Sequence, residues 1–139
     1  MGIRKVLTKL DHIGIAVKSL EEALPFYRDH LGMNLIKIEV VDAQMVRVAF
    51  LALGSEIIEL IEGTDEQSPI REFIAKRGEG IHHLCFQVLN LEESLKELKN
   101  KGVRLIDEIP RPGADGARVA FLHPATSHGV LIELKEKKG

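Results

Sequence analysis

Leu10-Asp11-His12-Ile13-Gly14-Ile15-Ala16-Val17 returns 71 positions later as Ile81-His82-His83-Leu84-Cys85-Phe86-Gln87-Val88. The same offset lays Leu20-Glu21-Glu22-Ala23-Leu24 on Leu91-Glu92-Glu93-Ser94-Leu95, and Phe50-Leu51 on Phe121-Leu122. After a slip of three residues, Glu59-Leu60-Ile61-Glu62 meets Glu133-Leu134-Lys135-Glu136. Each half therefore offers one His on its first strand and one Glu on its last. Two halves related by a pseudo-twofold would converge two imidazoles and two carboxylates, a donor set suited to a divalent cation.

Outward from these stretches, the elements repeat as well. Residues 10–17 alternate and are β-branched, as a strand requires. Ser19 with Glu22 three residues on is a capping box that opens a helix, and Gly32 closes it. Pro25 lies too deep in that helix for a first-turn proline, which predicts a kink or a later start. Residues 34–41, 45–53 and 56–62 read as strands, the last two joined by a tight turn at Gly54-Ser55. A polar connector, 64–79, contains a short helix with Ser68 as N-cap and Pro69 at its first position. The second half runs strand 81–88, a helix from Asn90 to Gly102, then strands near 103–109, 117–122 and 129–135. Pro110 to Gly116, with two prolines and two glycines, reads as a loop. The expectation is an α+β domain over 1–139, built of two βαβββ modules at about 8–63 and 80–136.

Composition narrows the function classes. With 45% hydrophobic and 29% charged residues the chain is ordinary for a globular protein. A net charge of -2 and no basic stripe argue against nucleic acid and anionic membrane surfaces. No apolar run reaches membrane-spanning length, and no signal-peptide core stands at the N-terminus. The single Cys85 rules out an internal disulfide and suits a reducing compartment, so a cytoplasmic location is expected.

Strand alternation sorts the candidate side chains by face. His12 shares a face with Gly14 and Ala16, while Ile13, Ile15 and Val17 point toward the helix. His83 shares a face with Cys85 and Gln87. Glu59 and Glu133 each interrupt an apolar strand, where a carboxylate is costly unless paired or bound to a cation. A lone strand His is ordinarily a hydrogen-bonded core residue and a lone strand Glu ordinarily faces solvent. Four such residues in register across a duplication point instead to one metal centre. His82 has the opposite parity and is read as structural, Cys85 as a buried filler, and Gln87 as either a satisfied glutamine or a substrate contact. His123 opens the loop 123–129 and is read as shaping a rim.

The segments Asp11–Val17, Phe26-Tyr27 with Leu31-Gly32, Glu59-Leu60, Ser68-Pro69-Ile70, Gly80–Cys85, and His123-Pro124 with Gly129–Leu134 resemble the vicinal oxygen chelate superfamily. Within it they resemble the methylmalonyl-CoA epimerase family, over about Leu10 to Leu134. The resemblance implies two βαβββ modules forming a cup-shaped mixed sheet around a divalent metal, with His12, Glu59, His83 and Glu133 as ligands. Cobalt is the metal the family suggests; nickel, manganese and zinc also suit nitrogen and oxygen donors. The implied reaction interconverts (2R)- and (2S)-methylmalonyl-CoA by removing and returning the C2 proton through a metal-stabilised enolate. An acyl-CoA substrate and a homodimer follow from the same likeness.

Proton transfer on two faces needs two carriers. Glu133 is the expected base, and Glu59 the pseudo-symmetric candidate for the opposite face. Relatives can carry another glutamate on the strand before Glu59, where the gapless match here is Arg47, which cannot act as a base. That leaves Glu59, a water on Gln44, and Asp42 as options for the second carrier. Arg111, Arg118 and Lys76-Arg77 are basic residues that could meet the CoA phosphates, but each taken alone reads as ordinary solvated surface charge, and none is assigned as a binding residue. The competing readings are a glyoxalase-type isomerase, a ring-cleaving dioxygenase, which the second carboxylate disfavours, and a metal-free small-molecule binder of the same fold.

Overall fold

A computed structural model describes residues 6–137. The elements follow the duplicated order: β1 (Leu7–Ala16), α1 (Leu20–Leu24), β2 (Asn34–Val41), β3 (Val46–Leu53) and β4 (Glu56–Gly63). After α2 (Pro69–Arg77) come β5 (Gly80–Val88), α3 (Leu91–Asn100), β6 (Arg111–Pro112), β7 (Arg118–Leu122) and β8 (Ile132–Glu136). The fold is α+β with two βαβββ modules. By contacts the chain forms two compact units, one of His12–His82, the other of the residues up to Asp11 with those from His83 onward. The boundary thus falls inside β1.

In the first unit the strands run in the order β2-β3-β4-β1. β1 and β4 are parallel with Gly14 opposite Glu59, and β3 and β4 are antiparallel with Phe50 opposite Glu59. One face carries α1: Leu20 and Leu24 pack with Val17, Ala49, Leu51 and Leu60, and with the partly buried Ile15 and Ile58. Each fully buried Leu in such a cluster contributes about 2 kcal/mol. Alternation then places His12, Phe50 and Glu59 on the face away from α1.

The second unit repeats this in the order β5-β8-β7-β6. β5 and β8 are parallel with Cys85 opposite Glu133, and Phe121 of β7 faces Glu133 from the other side. Leu91 and Leu95 of α3 pack with Val88, Ala120, Leu122 and Leu134. His83, Phe121 and Glu133 again occupy the opposite face.

A second carboxylate in the Glu-Leu-x-Glu repeat ties each helix to its sheet. Three residues after the first, it lies on the helix side. The Leu20 N–H donates to Glu62 Oε1 at 2.9 Å, and the Leu91 N–H to Glu136 Oε2 at 2.9 Å. These are orphan donors of the first helical turn, and a carboxylate there also favours the helix dipole. Arg47 bridges Glu62 (2.9 Å) and Glu21 (2.8 Å), while Arg118 bridges Glu136 (3.7 Å) and Glu92 (2.7 Å). Ser19 and Asn90 complete the N-termini by accepting from the N–H groups of Glu22 and Glu93.

Two sequence expectations change, and a third takes a specific form: the first helix departs from one regular α-helix at Pro25, where a kink or later start was expected. From Pro25 to His30 it widens into a π turn in which the Leu31 N–H reaches the Phe26 carbonyl. Proline has no N–H to continue the α ladder, which accounts for the change of pitch. Residues 103–109 form no strand. They meet β7 through the Leu105–Leu122 bridge, through two bonds to the Phe121 carbonyl from the N–H groups of Ile106 and Asp107, and through the Asp107 carboxylate, which accepts from the Phe121 N–H at 2.9 Å. The expected loop 110–116 instead supplies the second strand of this module as the two-residue β6. A Cβ on Gly113 would stand 2.8 Å from Val119, so only glycine permits this close approach.

Candidate active site

Each unit buries one imidazole against one carboxylate. In the first, His12 Nδ1 lies 3.0 Å from Glu59 Oε2; in the second, His83 Nε2 lies 3.0 Å from Glu133 Oε1. All four are about 5% exposed. Buried ionisable groups at matching positions on the helix-free faces are costly to retain without a role. The structure therefore joins the four sequence candidates in two pairs, one per unit.

The donor sets fit a cation. Two neighbouring ligands about 2.1 Å from an octahedral ion stand about 3.0 Å apart, the spacing in both pairs. In the metal-free protein the same distance is a hydrogen bond.

Around each pair the walls are apolar and aromatic. Phe121 lies edge-on to His83, with ring centres 5.8 Å apart, and Phe50 faces Glu59 across the β3–β4 ladder. Cys85 is fully buried and forms no disulfide. A cation rests on each of the two Phe rings: Lys37 lies 5.0 Å from the centre of Phe50, and Arg111 5.0 Å from the centre of Phe121. Sequence reasoning used these Phe residues only to align the repeat and missed that each walls a His–Glu pair. Their identical offset from one half to the other was the available signal.

Other candidates resolve into structural roles. His82 packs edge-on to Phe73 of α2 with ring centres 4.9 Å apart. Gln87 donates to Asp11 at 2.8 Å, and Lys135 pairs with the same carboxylate at 3.3 Å, so Gln87 is a satisfied sheet residue. His123 Nδ1 accepts from the Ala125 N–H at 3.0 Å, which shapes its turn. Arg47 lies on the helix side, opposite Glu62, and not on the face of Glu59. Glu62 and Glu21, hydrogen-bonded to it, hold its guanidinium above the ordinary arginine range. On β3 the face of Glu59 carries Val46, Val48 and Phe50, none of which can move a proton. Asp42 and Gln44 form a 3₁₀ turn beyond that strand. Glu39, opposite Val48 on β2, is a carboxylate on this face that sequence reasoning missed, and it pairs with Lys37 at 3.4 Å. Arg118 is committed to its two carboxylates, and Lys76 to Glu72 at 2.9 Å.

With two βαβββ modules and a buried His–Glu pair in each, the chain belongs to the glyoxalase/bleomycin resistance protein/dioxygenase superfamily, whose family model matches residues 11–121. Relatives across its full length narrow this further. The crystal structure of methylmalonyl-CoA epimerase from Mycobacterium tuberculosis is 42% identical with a TM-score of 0.92, covering 100% of this chain and 94% of that one. A methylmalonyl-CoA epimerase in complex with methylmalonyl-CoA and NH4+ is 38% identical with a TM-score of 0.90, covering 96% of both chains. The mitochondrial methylmalonyl-CoA epimerase of Mus musculus is 37% identical over 131 residues, 94% of this chain and 74% of its own length. Within the superfamily, this chain belongs to the methylmalonyl-CoA epimerase family. No helix among the described residues is long and apolar enough to cross a membrane.

Proposed function

We propose that this protein is a metal-dependent epimerase that interconverts (2R)- and (2S)-methylmalonyl-CoA, with His12, Glu59, His83 and Glu133 holding one divalent cation. The observation that carries the reading is the duplicated buried His–Glu pair, at 3.0 Å in both units. The family membership supplies the substrate. When bound, the cation places positive charge beside the thioester oxygen, where negative charge builds as C2 loses its proton. Cobalt is the metal proposed, and nickel, manganese or zinc suit the same donors.

Glu133 takes the C2 proton. Its neighbours across the strands, Phe121 and Cys85, keep bulk water from the carboxylate, and His83 holds its orientation. Glu59, walled by Phe50 and held by His12, delivers a proton to the other face. Glu39 is the further carboxylate on the helix-free face of the first unit and stands next in order as this second carrier. A homodimer, as the family likeness suggests, and a cytoplasmic location, which the single Cys85 suits, complete the proposal.

The deciding measurement follows deuterium at C2 of methylmalonyl-CoA in D₂O, using protein purified with and without cobalt and assayed for metal. Exchange that tracks metal occupancy supports the epimerase. No exchange at full occupancy overturns it, and a parallel assay with a glutathione hemithioacetal then identifies a glyoxalase-type isomerase.

A further inference from the structure

We propose that Arg111 is the substrate's anion-binding residue, receiving a negatively charged oxygen of the acyl-CoA on the helix-free face of the second unit. The inference rests on the epimerase reading and adds a specificity-determining residue to it.

Several basic residues among the described ones are already engaged. Arg47 and Arg118 clamp helices to sheets, Lys76 pairs along its helix, and Lys135 is held by Asp11. Arg77 lies over Phe73 of its own helix. Arg111 differs in three respects. First, its position on β6 opposite Val119 puts it on the face that carries His83 and Glu133. Second, its guanidinium is stacked 5.0 Å from the centre of Phe121, whose ring also touches His83. Third, its buried Nε–H donates to no acceptor: the Asp107 carboxylate stands 3.3 Å away as an ion-pair partner without completing a hydrogen bond. Among the described residues, no hydrogen bond engages its terminal amino groups either.

A guanidinium set over an aromatic ring retains its planar fork of donors, and carboxylate and phosphate oxygens match that fork. Stacking restricts the side chain beforehand, so less freedom is lost when the anion arrives. The side chain remains 40% exposed, open to a ligand. Gly113, packed on Val119, holds the short strand that carries Arg111 in place.

The substrate offers two anionic chemistries, the acyl carboxylate and the CoA phosphates, and three ligands separate them. Calorimetry measures affinity for methylmalonyl-CoA, for propionyl-CoA, which lacks the carboxylate, and for the methylmalonyl thioester of pantetheine, which lacks the nucleotide phosphates. Arg111→Met is expected to weaken methylmalonyl-CoA about ten- to a hundredfold, and Arg111→Lys to recover part of the loss. If the pantetheine thioester weakens while propionyl-CoA does not, the partner is the carboxylate. The reverse pattern makes it a phosphate. Unchanged affinity for all three, or an equal loss for all three, overturns the proposal. Metal content and melting temperature of the variants are measured alongside, and both are expected to match the wild type. Deuterium exchange by the wild type reads the epimerase assignment separately, since the affinities report on Arg111 whether or not C2 exchanges.

Discussion

Replacing Glu133 by Gln keeps the side chain's shape and removes its charge, and its effects should differ sharply with and without metal. Without metal, the variant loses a charge-assisted bond to His83 worth about 1.5–3 kcal/mol. It is also relieved of burying a carboxylate that is only 6% exposed, a cost of similar size or larger. The two offset, so metal-free stability should move by no more than about 1 kcal/mol, or roughly 4 °C in a chain of this length. With cobalt at a hundred times its dissociation constant, the wild type gains about 2.7 kcal/mol, roughly 10 °C. Losing a charged ligand that weakens binding about ten- to a hundredfold cuts that gain to about 1.4–0.4 kcal/mol at the same metal concentration. Turnover should fall by about 10²–10⁴, the range for a general base. Thermal melts with and without cobalt, paired with deuterium exchange at C2, read both effects. A variant with the wild-type cobalt shift and exchange within threefold of normal would show that Glu133 is neither ligand nor base.

The helix clamps predict effects on stability alone. Glu62→Ala and Glu136→Ala each strand a first-turn N–H and release an arginine, at a cost of about 1–2 kcal/mol apiece in denaturant unfolding. Because the clamps lie in separate units, the double variant should show the sum, with metal binding unaltered. Arg47→Met should sensitise the protein to acid. Its hydrogen bond to Glu21 holds that carboxyl below its ordinary value of 4.5. A depressed folded-state value stabilises the protein above the ordinary value and loses that contribution as pH falls through the depressed one. Removing Arg47 should therefore shift the acid-unfolding midpoint upward, as followed by circular dichroism.

His12, Glu59, His83 and Glu133 were legible because strand alternation and an internal repeat give two independent readings of the same residues. Arg47 was misplaced because a gapless comparison ignores the face. In the antiparallel pairing it lies opposite Glu62, three residues beyond Glu59, and parity then puts it on the helix side. The strand expected at 103–109 failed for a different reason. Val103, Leu105 and Ile106 supply apolar side chains, but the backbone of this segment meets β7 at one bridge and at the Phe121 carbonyl, with no continuous ladder. Side-chain pattern reports burial, not ladder formation, and a covering segment buries apolar groups equally well. The Phe–cation stacks were hidden because they depend on register between strands that the sequence does not state.

The two modules keep the same framework and differ at the positions between their paired residues. On the helix side, Arg47 and Arg118, Glu62 and Glu136, and Leu20 and Leu91 make the same contacts. On the opposite face the His–Glu pairs and their Phe neighbours are also kept. The positions between them are not. Gly14 and Ala16 in the first unit correspond to Cys85 and Gln87 in the second, and Ile61 corresponds to Lys135. Both units also set a cation over the Phe ring of this face, Lys37 over Phe50 and Arg111 over Phe121. Each has an ion-pair partner, Glu39 at 3.4 Å for Lys37 and Asp107 at 3.3 Å for Arg111. What sets Arg111 apart is its buried Nε, which completes no hydrogen bond, and the fixed fork of a guanidinium, which a lysine lacks. Those two features make Arg111 the residue to test.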